Sequence, residues 1–444
     1  MKPFALILAL ALLAPPALAS NDDEYERAPI EYSKATPKND SVAQLIKRME
    51  RGEASLEWKD RLGYLPALLR ELNVPESSQG LVFSRTSLQR DHISPRTPRA
   101  VYFNDDAYVG YVQNGGKIEI AASDPTLGSV FYTIDQTAPA DGGKLKPAQI
   151  TRQTDNCLNC HGSGMRVEIP GLMLRSVFAD LRGNPILAGG TKTTTQGSPL
   201  AHRWGGWYAT GSTGGQATMA NSFYTPNKGL EDPIPLEGSG EELTDLSERI
   251  DTSAYLTPHS DPVALMVLEH QVEAHNRLTY AAQATLRALH DEKVINEALG
   301  EKPADGTHSD STMSRVRNAC EPVVEYLLFA NETPLAAPIT GTSDFAKEFP
   351  HRGPRDSKGR SLRDLDFKTR MMKYPLSYLI YSDAFNGLPD MAKTHIYRRL
   401  WAVLSGTDTS KPFADLSADD RTAIVEILRE TKSDLPAYWK RKSN

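Results

Sequence analysis

Two thiols and an imidazole stand together at Cys157-Leu158-Asn159-Cys160-His161, the one CxxCH in a chain of 444 residues that holds only three cysteines. With two residues between them, the thiols can add across the two vinyl groups of one protoporphyrin while the adjacent imidazole reaches the iron on the same face. A group anchored in this way cannot dissociate. A zinc site would need two further ligands, and such pairs usually repeat as CxxC or HxxxH, whereas the remaining thiol, Cys320, is distant in sequence. A thioredoxin-like dithiol would sit between a buried strand and a helix, but Thr151 to Asn156 upstream is polar. The motif therefore predicts one covalent haem c, with Cys157 and Cys160 as thioether positions and His161 as the iron ligand, its second ring nitrogen donating to a backbone carbonyl.

The sixth position decides the chemistry, because a thioether raises the potential, a second imidazole lowers it and a vacancy admits small ligands. Met219, late in the loop Gly214-Gly215-Gln216-Ala217-Thr218-Met219, is the first candidate. Met165 and Met173 lie nearer the motif, Met173 on an expected strand and so read as core, and His202 and His270 are the imidazole alternatives. His270 falls on an apolar helical stripe, where a buried, hydrogen-bonded histidine is the commoner outcome. In His202-Arg203-Trp204-Gly205-Gly206-Trp207-Tyr208 the glycines would let backbone approach a porphyrin, Trp204 or Trp207 could cover a face, and Arg203 or Arg175 could pair with a propionate. The alternative for this strip is a tryptophan-rich core corner. Arg352 to Tyr381 carries eight basic groups from Arg352 to Lys373 interleaved with Asp356, Asp364 and Asp366, which favours an ion-pair network over a docking patch. Glu269 and Glu273, one helical turn apart, read as a helix surface rather than paired catalytic carboxylates.

The elements that must position these groups predict an α+β fold. Ser41 caps a short helix through Met49, and Pro66 to Leu72 forms another. β-Rich runs follow at Ala100–Phe103, Tyr108–Gln113, Lys117–Ala121 and Val130–Ile134, with a hairpin at Asn114-Gly115, giving a small antiparallel sheet. Residues 147–236 read as an irregular haem-binding region with one strand at Leu172–Phe178 and a turn at Arg182-Gly183-Asn184-Pro185. Gly238 to Asp251 is acidic and reads as a mobile loop. Residues 237–444 are mainly helical: Ser260-Asp261-Pro262 starts a long helix to about His290, a second covers Arg315 to Ala330 with a disturbance at Pro322, and Met391–Leu404 and Ala418–Thr431 are terminal helices. Residues 20–146 form the N-terminal α+β region.

Met1 to Ala19 reads as a secretory signal, with Lys2 before the apolar run Phe4–Leu13 and Ala17-Leu18-Ala19 as cleavage site. Export places the chain in the periplasm, where bacteria also attach haem c, and no later segment is long and apolar enough to span a bilayer. Loss of Lys2 leaves 49 basic against 56 acidic residues, which argues against nucleic acid as partner. A length far beyond what one haem needs for burial sets the chain apart from a minimal shuttle.

The blocks IEIAASDPTLGSVFYTID, CLNCHGSG, IPGLMLRS, RWGGWYATG, VALMVLEHQ and RGPRDSKGRSLRDLDFKTRMMKYPLSYLIYSDAF span most of this chain. In them it resembles a group of large exported bacterial monohaem cytochrome c-like proteins. The resemblance implies haem binding at Cys157, Cys160 and His161 and electron transfer with a redox partner protein, without naming a substrate. It does not fix Met219 as ligand, and similar sequences carry a histidine where this chain has Thr218. The expectation is a periplasmic c-type cytochrome. Its rivals are a peroxidase-like haem enzyme with an open distal position, assisted by His202 or Arg203, and a haem-containing sensor or scaffold.

Overall fold

The computed structural model describes residues 23–37, 39–136, 148–162, 169–224 and 241–440. The expected signal segment and Met165 lie outside them. Asp40, rather than Ser41, caps α1 (Ser41–Glu50), its carboxylate accepting from the Val42 and Ala43 amides. Pro66 at the start of α2 (Leu65–Glu71) uses a position that has no helical partner for an N–H.

Six strands then form one antiparallel meander in sequence order: β1 (Gly80–Val82), β2 (Arg99–Phe103), β3 (Ala107–Val112), β4 (Lys117–Asp124), β5 (Gly128–Asp135) and β6 (Ile150–Gln153). Strand alternation sends Ala100, Tyr102, Val109, Ile118, Ile120, Val130, Tyr132 and Ile134 to one face, where all are buried. Tyr132 there donates to Asp40 Oδ2 at 2.9 Å, tying the sheet to the cap of α1. The opposite face carries Arg99, Val101, Gly110, Glu119, Phe131 and Thr133. That face meets the rest of the chain. The polar stretch from Thr151, expected to be irregular, in fact supplies three of the four residues of β6, because pairing with β5 provides the hydrogen bonds that its side chains do not advertise.

α3 (Leu158–His161) is a single turn inside the CxxCH motif. The strand expected over Leu172–Phe178 contracts to β7 (Arg175–Val177), paired with β8 (Thr191–Thr193), and β9 (Gly211–Ser212) later pairs with β10 (Thr340–Gly341). The acidic segment is not a free loop in its described part, 241–251: Leu246 and Ile250 are buried, and the Asn221 side chain donates to the Glu241 carbonyl.

Asp261 caps α4 (Pro262–Leu299), which runs nine residues beyond the expected end at His290 and stops at Gly300 with φ 70°. α5 (Asp310–Leu327) passes through Pro322 without restarting. α6 (Phe345–Glu348), α7 (Asp383–Asn386), α8 (Asp390–Leu404), α9 (Ala418–Thr431) and α10 (Ala437–Lys440) complete the helical half. One hydrophobic core runs from Tyr25 through the sheet and α4 to Trp439, so the three regions marked along the sequence share their packing. The class is α+β, as expected. The interleaved charges at 352–373 do form ion pairs: Arg360 with Asp356 and Glu426, Arg370 with Asp420, and Arg355 with Asp364.

Candidate haem crevice

Backbone carbonyls of Asp155, Cys157 and Leu158 accept the helical hydrogen bonds that wind the motif, which puts Cys157 half-buried and Cys160 exposed. Burial pushes the Cys157 thiol up to about 11, so this sulfur is a thiol rather than a thiolate at neutral pH. His161 packs its ring against Phe131 of β5, centroids 5.1 Å apart. Its Nδ1 lies 3.0 Å from the Gly171 carbonyl, and because a carbonyl only accepts, Nδ1 carries the hydrogen and Nε2 keeps its lone pair. Burial lowers the imidazole to about 4, so it is neutral at physiological pH. A neutral ring, oriented by one nitrogen and bare at the other, is the form that binds a metal.

Gly171 is itself held. Its amide donates to the His161 carbonyl, the Pro170 carbonyl accepts from the Ser129 amide, and Asn276 of α4 bonds both backbone groups of Leu172 at 3.1 and 2.7 Å. The orientation of His161 thus depends on a strand, a loop and the long helix together.

Phe131 stands on the second sheet face described above and is itself buried. Across that face the register sets Ala121 opposite Phe131, Glu119 opposite Gly110 and Gly110 opposite Val101. At the far end Trp207 lies over Gly80, with its ring 3.5 Å from where a Cβ would stand, and Leu265 of α4 is beside it. Between Trp207 and Phe131 this face carries Val101, half-buried, and Gly110 and Ala121, both buried, with the Arg99 guanidinium lying against Gly110.

The aromatic strip is placed differently from its expected role. Phe83 and Ser84 amides both donate to the Gly206 carbonyl, Val82 bridges to Trp207 and the Tyr208 amide donates to Leu81, so the strip extends the sheet edge beyond β1. A Cβ on Gly205 would stand 2.7 Å from the Val177 carbonyl and one on Gly206 2.6 Å from Ser84 Cβ. The two glycines serve this close backbone packing rather than approach to a macrocycle. Trp204, in the left-handed region at φ 67°, is buried in the interior. Trp207 is buried as well, its ring beside Gly80 and its Nε1 donating to the Arg175 carbonyl at 2.9 Å.

Arg203 is not a propionate partner. Its guanidinium is buried, donating to Glu269 at 2.8 Å and to the carbonyls of Gln196 and Ser198. Glu269 is correspondingly not on a helix surface, whereas Glu273 pairs with Arg277 at the next turn. Met219 is buried with its sulfur 3.7 Å from Ser176 Oγ, and Ser176 alternates to the opposite side of β7 from Arg175. The structure does not bring Met219 to His161. Met173 precedes β7, half-buried, and its sulfur accepts from Arg175 Nε. His270 is the buried histidine expected, held between Gln196 and Ser377 at 2.6 and 2.7 Å and stacked on Phe329. His202 is half-buried in a turn of 3₁₀ helix.

Arg99 and Glu119 were missed by sequence reading. They reach the motif only through the sheet register, and the one readable signal was their place on the polar positions of alternating strands. Neither family models, curated proteins nor solved structures match this chain. Among the described residues no three His, Cys, Asp or Glu side chains gather as a metal cluster, and no helix is long and apolar enough to cross a membrane.

Proposed function

We propose that this chain is an exported c-type cytochrome, a periplasmic electron carrier with a single haem attached through Cys157 and Cys160 and ligated by His161. The observation that carries the reading is the state of His161: neutral, fixed through Nδ1–H to Gly171, and with no partner on Nε2 among the described residues. A two-thiol motif serving another purpose does not need an adjacent imidazole held in that tautomer. When bound, the haem supplies a one-electron iron couple. The chain's part is to hold His161 through the Gly171 carbonyl and to shield it from water on the side of Phe131, on the sheet face that also carries Trp207. The exposed Cys160 side of the motif is where a redox partner protein would approach.

The test is production of the exported chain together with a cytochrome c maturation system. Intact mass of the purified protein should show one haem, and Cys157→Ser with Cys160→Ser should remove it; an unmodified polypeptide defeats the proposal. Reduced spectra with carbon monoxide then separate the carrier, which resists the ligand, from a peroxidase-like enzyme with an open distal position, which binds it at once.

A further inference from the structure

Arg99 and Glu119 form an ion pair at 2.6 Å in the middle of the crevice floor, between Trp207 and His161. The guanidinium lies flat on Gly110, where a Cβ would stand only 2.8 Å from Arg99 Nε and closer still to the rest of the group. Glu119 is fixed from the other side by Gln89, whose Nε2 donates to Oε1 at 3.1 Å. Glu119 is two residues from Ala121, and Ala121 faces Phe131, the ring against which His161 packs.

Arg99 is also incompletely used. Its Nη2 serves Glu119, but its Nε is buried with no partner among the described residues. The other arginines near the crevice are less suited: Arg203 is consumed by Glu269, and Arg175 is exposed with Nε on Met173. We infer that Arg99 and Glu119 are the charged part of the sheet face beside the haem, the two side chains shifting the potential of the iron in opposite directions.

This rests on the haem reading above. The ferric state carries one more positive charge than the ferrous state, so a nearby cation raises the potential and a nearby anion lowers it. Arg99 therefore favours the reduced form and Glu119 the oxidised form. Neither is a ligand; both are positioning residues.

The experiment is redox titration of the haem-loaded full chain and of Arg99→Gln, Glu119→Gln, the double variant and Arg99→Lys, with haem content measured on each. The potential should fall in Arg99→Gln, rise in Glu119→Gln and return toward the parent in the double variant, while Arg99→Lys stays nearest the parent. Because Glu119→Gln keeps shape and removes only charge, it decides the matter even if Arg99→Gln is poorly folded. Loaded variants whose potentials do not move, or move in the same direction, overturn this inference while leaving the cytochrome intact. A parent chain without attached haem overturns the function itself, and the two failures are told apart by the haem assay.

Discussion

His270 and His275 sit one turn and a half apart on α4 with both rings inside the molecule, and burial holds them down to about 3 and about 4. Each is neutral when folded and free to take a proton near 6.5 when unfolded, so the unfolded chain binds more protons throughout that interval. Their contribution is complete above about pH 6.5 and is lost as pH falls toward 3, at up to about 1.4 kcal/mol per pH unit for each ring. Denaturant melts at pH 7, 5.5 and 4.5 should show this decline, and His270→Gln, which can still bridge Gln196 and Ser377, should flatten it. A slope unchanged by the substitution would remove His270 as its source. Arg203 makes the complementary case. Its burial could not be read locally because Glu269 lies 66 positions downstream, and only the fold brings the two charges together. Arg203→Ala leaves a carboxylate stranded in the core and is expected to cost about 3–5 kcal/mol in denaturant midpoint analysis. His270 was legible because its stripe is apolar at helical spacing; Arg203 looked like a surface arginine beside aromatics.

At the scale of elements, the sheet was readable because its two outer faces differ: Ile118, Ile120 and Ile134 alternate with Glu119 and Thr133, and Asn114-Gly115 sets the hairpin. β1 and β6 escaped because three- and four-residue strands have too few alternations to register, and their identity comes from the neighbour they pair with. The long helix of the second half was legible from its start at Ser260-Asp261-Pro262, its end moved on to Gly300, and α5 begins five residues before the expected Arg315, behind its Ser309 cap. The clamp from Asn276 to Leu172 is an element-level device that no local pattern announces. It closes both backbone groups of Leu172 with one amide and so fixes the neighbouring Gly171 carbonyl that orients His161. Asn276→Leu should cost about 2–4 kcal/mol through two unpaired backbone groups. In the haem-loaded protein it should also broaden or shift the low-spin electron paramagnetic resonance signal, since the imidazole loses its fixed plane. Loss of stability with an unaltered signal would confine Asn276 to a packing role.

For the whole molecule the question is why one cofactor is accompanied by so much chain. The crevice is not enclosed by the segment that holds the motif. β6 leads into the motif and depends on β5; the floor is β2 to β5; the aromatic strip completes the far edge of the sheet; and α4 covers the end at Tyr108, where Gln271 and His275 bond the phenol. α4 in turn packs against α5 and α8, and the Arg203–Glu269 pair pins the strip to it. The placement of His161 is thus supported by a core that extends to Trp439, and the described residues of 147–236 share that core. Unfolding should accordingly be a single event: tryptophan fluorescence, which samples Trp439 and Trp401 in the last helices as well as Trp207, should follow the same denaturant curve as the haem absorbance near His161. A fragment of 147–236 made under the same maturation conditions should fail to show native-like circular dichroism. Separate transitions, or a fragment that folds and holds haem alone, would mean that the helical half is an independent module and that its role must be sought in a partner rather than in support of the crevice.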